Sequence, residues 1–169
     1  GHENGARPPV QAKKIDAAAD YGIDVFLFDW YWYHNAPYLH RALEEGFLHA
    51  PNNGRLQFAL MWANHDWLDI HPAQRSRPCN ALAKGAVSME QFRDATDYII
   101  EKYFSRPNYW RVSGGLYFSV YELMSFIQGL GSLDETKAAL EDFRARVEKA
   151  GLGKLHLNAV VWGLQILPG

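Results

Sequence analysis

Four times along this chain, residues at helical spacing give way to a short run of β-branched and aromatic residues, and that alternation constrains the fold more than any other feature. From Val10 to Tyr21 the apolar residues Ile15, Ala18 and Ala19 recur at helical spacing, and Gly22 follows where a left-handed cap belongs. Ile23 to Tyr31 then reads as a strand buried on both faces of a parallel sheet. Pro37 is positioned to open a second helix, Tyr38 to Ala50, with Leu39, Ala42, Leu43 and Phe47 on one side. Leu56 to Ala63 is the second strand, and an irregular stretch from Asn64 to Val87 follows it. Ser88 and Gln91 form a capping box for a helix through Phe104, whose buried stripe is Phe92, Ala95, Ile99 and Tyr103. Leu116 to Tyr121 is the third strand. Ser132 with Glu135 caps a last helix, which carries Leu140, Phe143 and Val147, stops at Gly151 and leads to a fourth strand, Leu155 to Trp162.

Such alternation implies a parallel sheet with right-handed crossovers. A length of 169 residues with 48% apolar content buries one core and is too short for two ordinary domains. Length favours a doubly wound sheet, because a closed eight-stranded barrel takes about 250 residues. Other observations favour part of a barrel. The chain opens on a helix that needs a preceding strand, and it stops soon after a strand with no helix to cover it. Polar and aromatic residues follow every strand instead of gathering at one switch point, and no glycine-rich phosphate loop is present. The expected fold class is therefore α/β, a partial (β/α)8 TIM barrel with about four parallel strands, residues 1–169 being a single domain and a fragment of the whole. Unpaired strand edges of such a piece favour self-association.

The formal charge of -2 and the scattered 17 basic residues give no footprint for nucleic acid. The single cysteine, Cys79, has no internal disulfide partner, and no zinc spacing occurs. No apolar run is long enough to span a membrane, and the first residues do not read as a signal peptide, which leaves the compartment open, a secreted or periplasmic address included.

Chemistry-bearing residues cluster after the strands. In Asp29-Trp30-Tyr31-Trp32-Tyr33-His34, the period of two sends Asp29 and Tyr31 to one face and Trp30 and Trp32 to the other. Flat rings with a polar edge suit the CH and OH faces of a sugar, so Tyr31, Trp32 and Tyr33 are candidate sugar contacts as well as candidate core. Trp62-Ala63-Asn64-His65-Asp66-Trp67 is the strongest cluster, since Asn64, His65 and Asp66 are poor strand residues at the end of a strand. An Asn/Asp-rich turn is the plainer reading of the same residues. His65, Asp66, Asp69 and His71 lack the spacing of a metal site, and no metal or other cofactor is expected. Tyr121 and Glu122 end the third strand, where Glu122 is either a candidate acid at the end of an apolar row or an exposed loop residue. The fourth strand offers His156, Asn158 and Trp162 as weaker candidates.

The strings Gly22-Ile23-Asp24-Val25-Phe26-Leu27-Phe28-Asp29-Trp30-Tyr31-Trp32-Tyr33, Met61-Trp62-Ala63-Asn64-His65-Asp66-Trp67 and Gly115-Leu116-Tyr117-Phe118-Ser119-Val120-Tyr121-Glu122 together resemble the glycoside hydrolase family 99-like, or WbsX-like, domain. The resemblance implies a (β/α)8 barrel acting on oligosaccharides or polysaccharides and related to endo-α-mannosidases. It implies a catalytic glutamate pair in a late Asn-Glu-Trp-x-Glu-Gly type motif, which these residues do not contain, so the piece is expected to be inactive alone. His65 stands where related domains often carry glutamate. Sugar-binding roles extend by this resemblance to Asp29, Tyr31, Trp32, Tyr33, Trp62, Asn64, His65, Asp66, Trp67, Tyr121 and Glu122, and no catalytic role carries over. By their own placement Asp29, Asp66 and Glu122 are the carboxylates available for glycoside hydrolysis, with Asp66 and Glu122 the catalytic candidates. Glycoside hydrolysis is the leading expectation, and noncatalytic glycan binding or glycosyl transfer in polysaccharide assembly are the alternatives.

Overall fold

The structure is a computed structural model that describes residues 3–70 and 79–160. Helix α1, Pro8–Asp20, starts on two prolines, whose fixed φ suits a first turn, and buries Val10, Ile15 and Ala18. Its end is a Schellman motif. The Ile23 N–H reaches the Ala18 carbonyl, the Gly22 N–H reaches Ala19, and Gly22 adopts φ +82°. Strand β1, Val25–Tyr33, follows at once.

Strand β1 is not buried on both faces. Trp30 and Trp32 are buried on the helix-covered side, whereas Leu27 is 47% exposed and Asp29 is exposed on the other. The expectation failed because the residues described cover only one side of the sheet.

Pro37 does not open a helix. His34 and Asn35 have φ of 52° and 58°, a two-residue turn of the type that matches strand twist, and it returns the chain as strand β2, Ala36–Tyr38, antiparallel to β1. Proline is tolerated there because β2 is the sheet edge. The Tyr38 ring packs on Tyr31 and Tyr33, a set of aromatic contacts that a helix from residue 38 would forfeit. Leu39, expected on a buried helix face, is exposed at φ +54°. Helical structure begins later, as a π-helical turn at Ala42–Gly46 and a 3-10 turn at Phe47–His49, burying Leu43 and Phe47.

Strand β3, Gln57–Trp62, lies parallel to β1. The stretch expected to be irregular contains a short antiparallel pair, β4, Trp67–Leu68, and β5, Ala81–Ala83. Helix α2, Met89–Ile99, carries the full Ser88–Gln91 capping box, and a π-helical turn, Ile100–Phe104, continues it. Phe92, Ala95, Ile99 and Tyr103 are all buried, as their spacing predicts. The two-residue β6, Arg111–Val112, forms a hairpin with β7, Gly115–Val120. Helix α3, Leu123–Leu130, was not legible as a separate element. Helix α4, Leu133–Lys149, begins on the Ser132 cap and ends at Gly151, φ +74°, with a second Schellman pair. Strand β8, Leu155–Ala159, closes the described chain, and Trp162 lies outside the described residues.

The result is a mixed α/β fold around a curled half-barrel sheet in which β1, β3, β7 and β8 run parallel and β2 and β6 pair antiparallel. Its convex side carries the main core, including Trp30, Phe58, Trp62, Phe92, Phe118 and Phe143. Full removal of such aromatic side chains from water supplies roughly 1.5–3 kcal/mol each before the cost of ordering them. Its concave side is lined by alternate residues of the same strands, and the strand ends open onto one rim.

Candidate functional site

Three strand ends and one hairpin bring six rings together on the rim. Tyr31 and Tyr33 alternate onto the concave side of β1 and stack at 6.2 Å. Tyr38 lies opposite Tyr31 in register and contacts it at 6.5 Å. The turn after β3 adds His65, edge-on to Tyr31 at 5.8 Å, and Trp67, 5.7 Å from Tyr31 and 5.3 Å from Tyr38. Tyr121, just past β7, meets His65 at 5.9 Å. Edge-to-face and offset contacts in this distance range are mutually supportive, so the cluster is a stiff platform. It is pinned further by the Tyr33 hydroxyl, which donates to the His65 carbonyl at 2.7 Å. Beside it a cleft of about 370 Å³ is lined by residues 65–70 and Leu82.

The three strand-end carboxylates, Asp29, Asp66 and Glu122, have different surroundings. Asp66 is engaged: Oδ1 accepts from the Gly85 backbone N–H at 2.9 Å, and Oδ2 pairs with Lys84 Nζ at 3.3 Å. The Gly85 N–H, with Lys84, holds its carboxyl below the ordinary range, so Asp66 stays ionised and closes its own loop. Asp29 is exposed on the concave side and has no hydrogen bond or ion pair among the described residues. Burial first, then the Asp29 charge and Tyr121, raise the Tyr31 phenol, while burial and neighbouring Tyr31 push Tyr33 up to about 12. Glu122 is half-buried with its side chain unbonded among the described residues, but its main chain is fixed.

That fixation explains Asn64, which is 1% exposed. Its Nδ2 donates to the Glu122 carbonyl at 2.8 Å and its Oδ1 accepts from the Glu122 N–H at 2.7 Å. Both ends of the amide are spent on tying the loop after β3 to the end of β7, so Asn64 supports the rim and does not face it.

Two expected contacts belong to the core. Trp62 is fully buried on the convex side, stacked on Phe92 at 5.9 Å and edge-on to Phe126 at 6.0 Å. Trp32 is stacked on Trp30 at 5.6 Å and packs against Tyr98. Both follow from the alternation that sends even-numbered residues of β1 and β3 under the helices. Their indole N–H groups have no acceptor among the described residues. Below them Trp30 donates to the Tyr103 hydroxyl at 3.1 Å, and Tyr103 and Tyr98 each donate to Glu44 at 2.6 Å. Burial, reinforced by Glu44, raises both phenols well above the ordinary value.

Tyr38 was missed as a rim residue because Pro37 resembled a helix start, although Asn35 at a two-residue link was a usable turn signal. Among the described residues no group of three His, Cys, Asp or Glu side chains is arranged to hold a metal ion, and His71 lies outside them. Nor, among them, is any helix long and apolar enough to cross a membrane.

The sequence model of the family described as Glycosyltransferase WbsX matches residues 4–163. No curated protein and no solved structure gives a match.

Proposed function

The chain belongs to the WbsX family, and from that premise we propose that it forms the glycan-binding side of a (β/α)8-type enzyme that cleaves glycosidic bonds in oligosaccharides or polysaccharides. The observation that carries the reading is the six-ring platform at the carboxyl ends of parallel strands, beside the exposed carboxylate of Asp29. Tyr31, Tyr38, His65, Trp67 and Tyr121 offer ring faces to the CH side of a sugar and polar edges to its hydroxyls, while Tyr33, buried and bonded to the His65 carbonyl, supports them from beneath. Asp29, with an exposed carboxylate and Tyr31 next to it, is the carboxylate best situated to meet a substrate, and Glu122 is a second. Asp66, committed to Gly85 and Lys84, serves the loop. The open concave side, with Leu27 47% exposed, supports a sheet that is completed by further strands, which in this reading also supply a catalytic glutamate pair.

Sugar transfer from an activated donor is the second reading, favoured by the family's description. The deciding experiment incubates the full-length protein with an oligosaccharide panel, with and without sugar nucleotides, and identifies products by mass spectrometry. Cleavage in water alone supports hydrolysis. Products that require the sugar nucleotide replace hydrolysis with transfer. Binding without product leaves a noncatalytic glycan binder, and neither binding nor product defeats the proposal.

A further inference from the structure

Strand register sets Asp29 of β1, Met61 of β3, Ser119 of β7 and Asn158 of β8 at one level of the concave side, one step below the aromatic rim. Asn158 is exposed there, whereas Ser119 is fully buried beneath it. Both amide hydrogens of Asn158 are used, Nδ2 donating to the Tyr117 hydroxyl at 3.0 Å and to Ser119 Oγ at 3.1 Å. Its Oδ1 carries no bond among the described residues, and the two tethers fix the direction in which it points. Tyr117 is itself held, stacked on His156 at 5.9 Å and packed on Trp110 at 4.9 Å. A buried serine and a clamped tyrosine spent on orienting one exposed amide make a preorganised acceptor, the kind of group that selects among ligands by where their hydroxyls lie.

We propose that Asn158 is a specificity-determining residue whose Oδ1 accepts a hydrogen bond from one hydroxyl of a pyranose ring on the concave side, with the rim rings covering the sugar's apolar face. This rests on the reading of the rim as a glycan site. Ser119 and Tyr117 are positioning residues, since they act through Asn158.

The test uses the full-length protein, titrated calorimetrically with the methyl pyranosides of mannose, glucose and galactose and with their monodeoxy analogues. Asn158→Leu is expected to weaken the preferred glycoside about three- to ten-fold, the worth of one net hydrogen bond. Asn158→Asp, which keeps an acceptor, is expected to bind within about two-fold of wild type. The deoxy analogue lacking the contacted hydroxyl is expected to bind wild type and Asn158→Leu alike. Equal loss of every glycoside in Asn158→Leu, deoxy analogues included, would overturn the assignment by marking a merely structural role. Unchanged binding in Asn158→Leu, with binding abolished in Trp67→Ala, would overturn the role of Asn158 and leave the glycan site standing. No binding of any glycoside to wild type would remove both.

Discussion

Replacing Asn64 by alanine removes two hydrogen bonds at once, and both partners are main-chain groups of one residue, Glu122. Each bond contributes about 0.5–1.5 kcal/mol net; the Glu122 carbonyl keeps the Phe126 N–H, whereas the Glu122 N–H is left without a partner, which costs about 1–3 kcal/mol. Glu122 is half-buried, so water recovers part of that loss, and a destabilisation of about 2–4 kcal/mol is expected. Asn64→Asp keeps an acceptor for the Glu122 N–H but turns a carboxylate oxygen on the Glu122 carbonyl, so the expected loss is similar in size. Equilibrium urea unfolding of the full-length protein measures both. With a slope of about 1–3 kcal/mol per molar urea, 3 kcal/mol lowers the midpoint by roughly 1–3 M. Amide exchange at Glu122 should accelerate in parallel. A loss under about 0.5 kcal/mol, with Glu122 still protected, would refute the clamp, because it would mean that the rim holds together without this tie.

Tyr103→Phe strands the Trp30 indole N–H and removes one of two donors from Glu44, so unfolding should cost about 1–3 kcal/mol less, as calorimetry or urea titration can establish. For Asp66 the folded-state carboxyl is lowered, so its contribution is present above the ordinary carboxylate range and disappears as pH falls through its depressed value. The stability gap between wild type and Asp66→Asn should therefore narrow as pH is lowered from about 6 to about 3, and a gap independent of pH would count against the Gly85–Asp66 tie. Burial raises the phenols of Tyr33, Tyr98, Tyr103 and Tyr109, so absorbance at 295 nm should show them un-ionised at pH 11 until the chain unfolds. Early, reversible ionisation of all nine tyrosines would contradict their packing.

The parallel strands and the helices α1, α2 and α4 before three of them were legible because each signal is local. Gly22 and Gly151 end helices where only a left-handed residue closes the cap, and Ser88 and Ser132 start them through their own side chains. The alternation in β1 also separated Asp29 and Tyr31 from Trp30 and Trp32 correctly. The same alternation, carried one strand further, buries Trp62 beside Phe92 and removes it from the rim. What the chain concealed was nonlocal. The β2 hairpin depends on rings contributed by β1 and by the turn after β3, and Asn64 serves a residue 58 positions away. Composition marks Asn64 as polar at a strand end, but only the fold decides whether that polarity faces a ligand or a backbone.

The most direct test of the platform is titration of the full-length protein with an oligosaccharide that it cleaves or binds, comparing wild type with Trp67→Ala and Tyr31→Ala. Loss of about ten-fold or more in affinity in each variant, with folding intact by near-ultraviolet circular dichroism, is the expected result, since ring-face contact of this area is worth about 1.4 kcal/mol or more. Unchanged affinity in both variants would contradict the assignment of the aromatic rim as the glycan site.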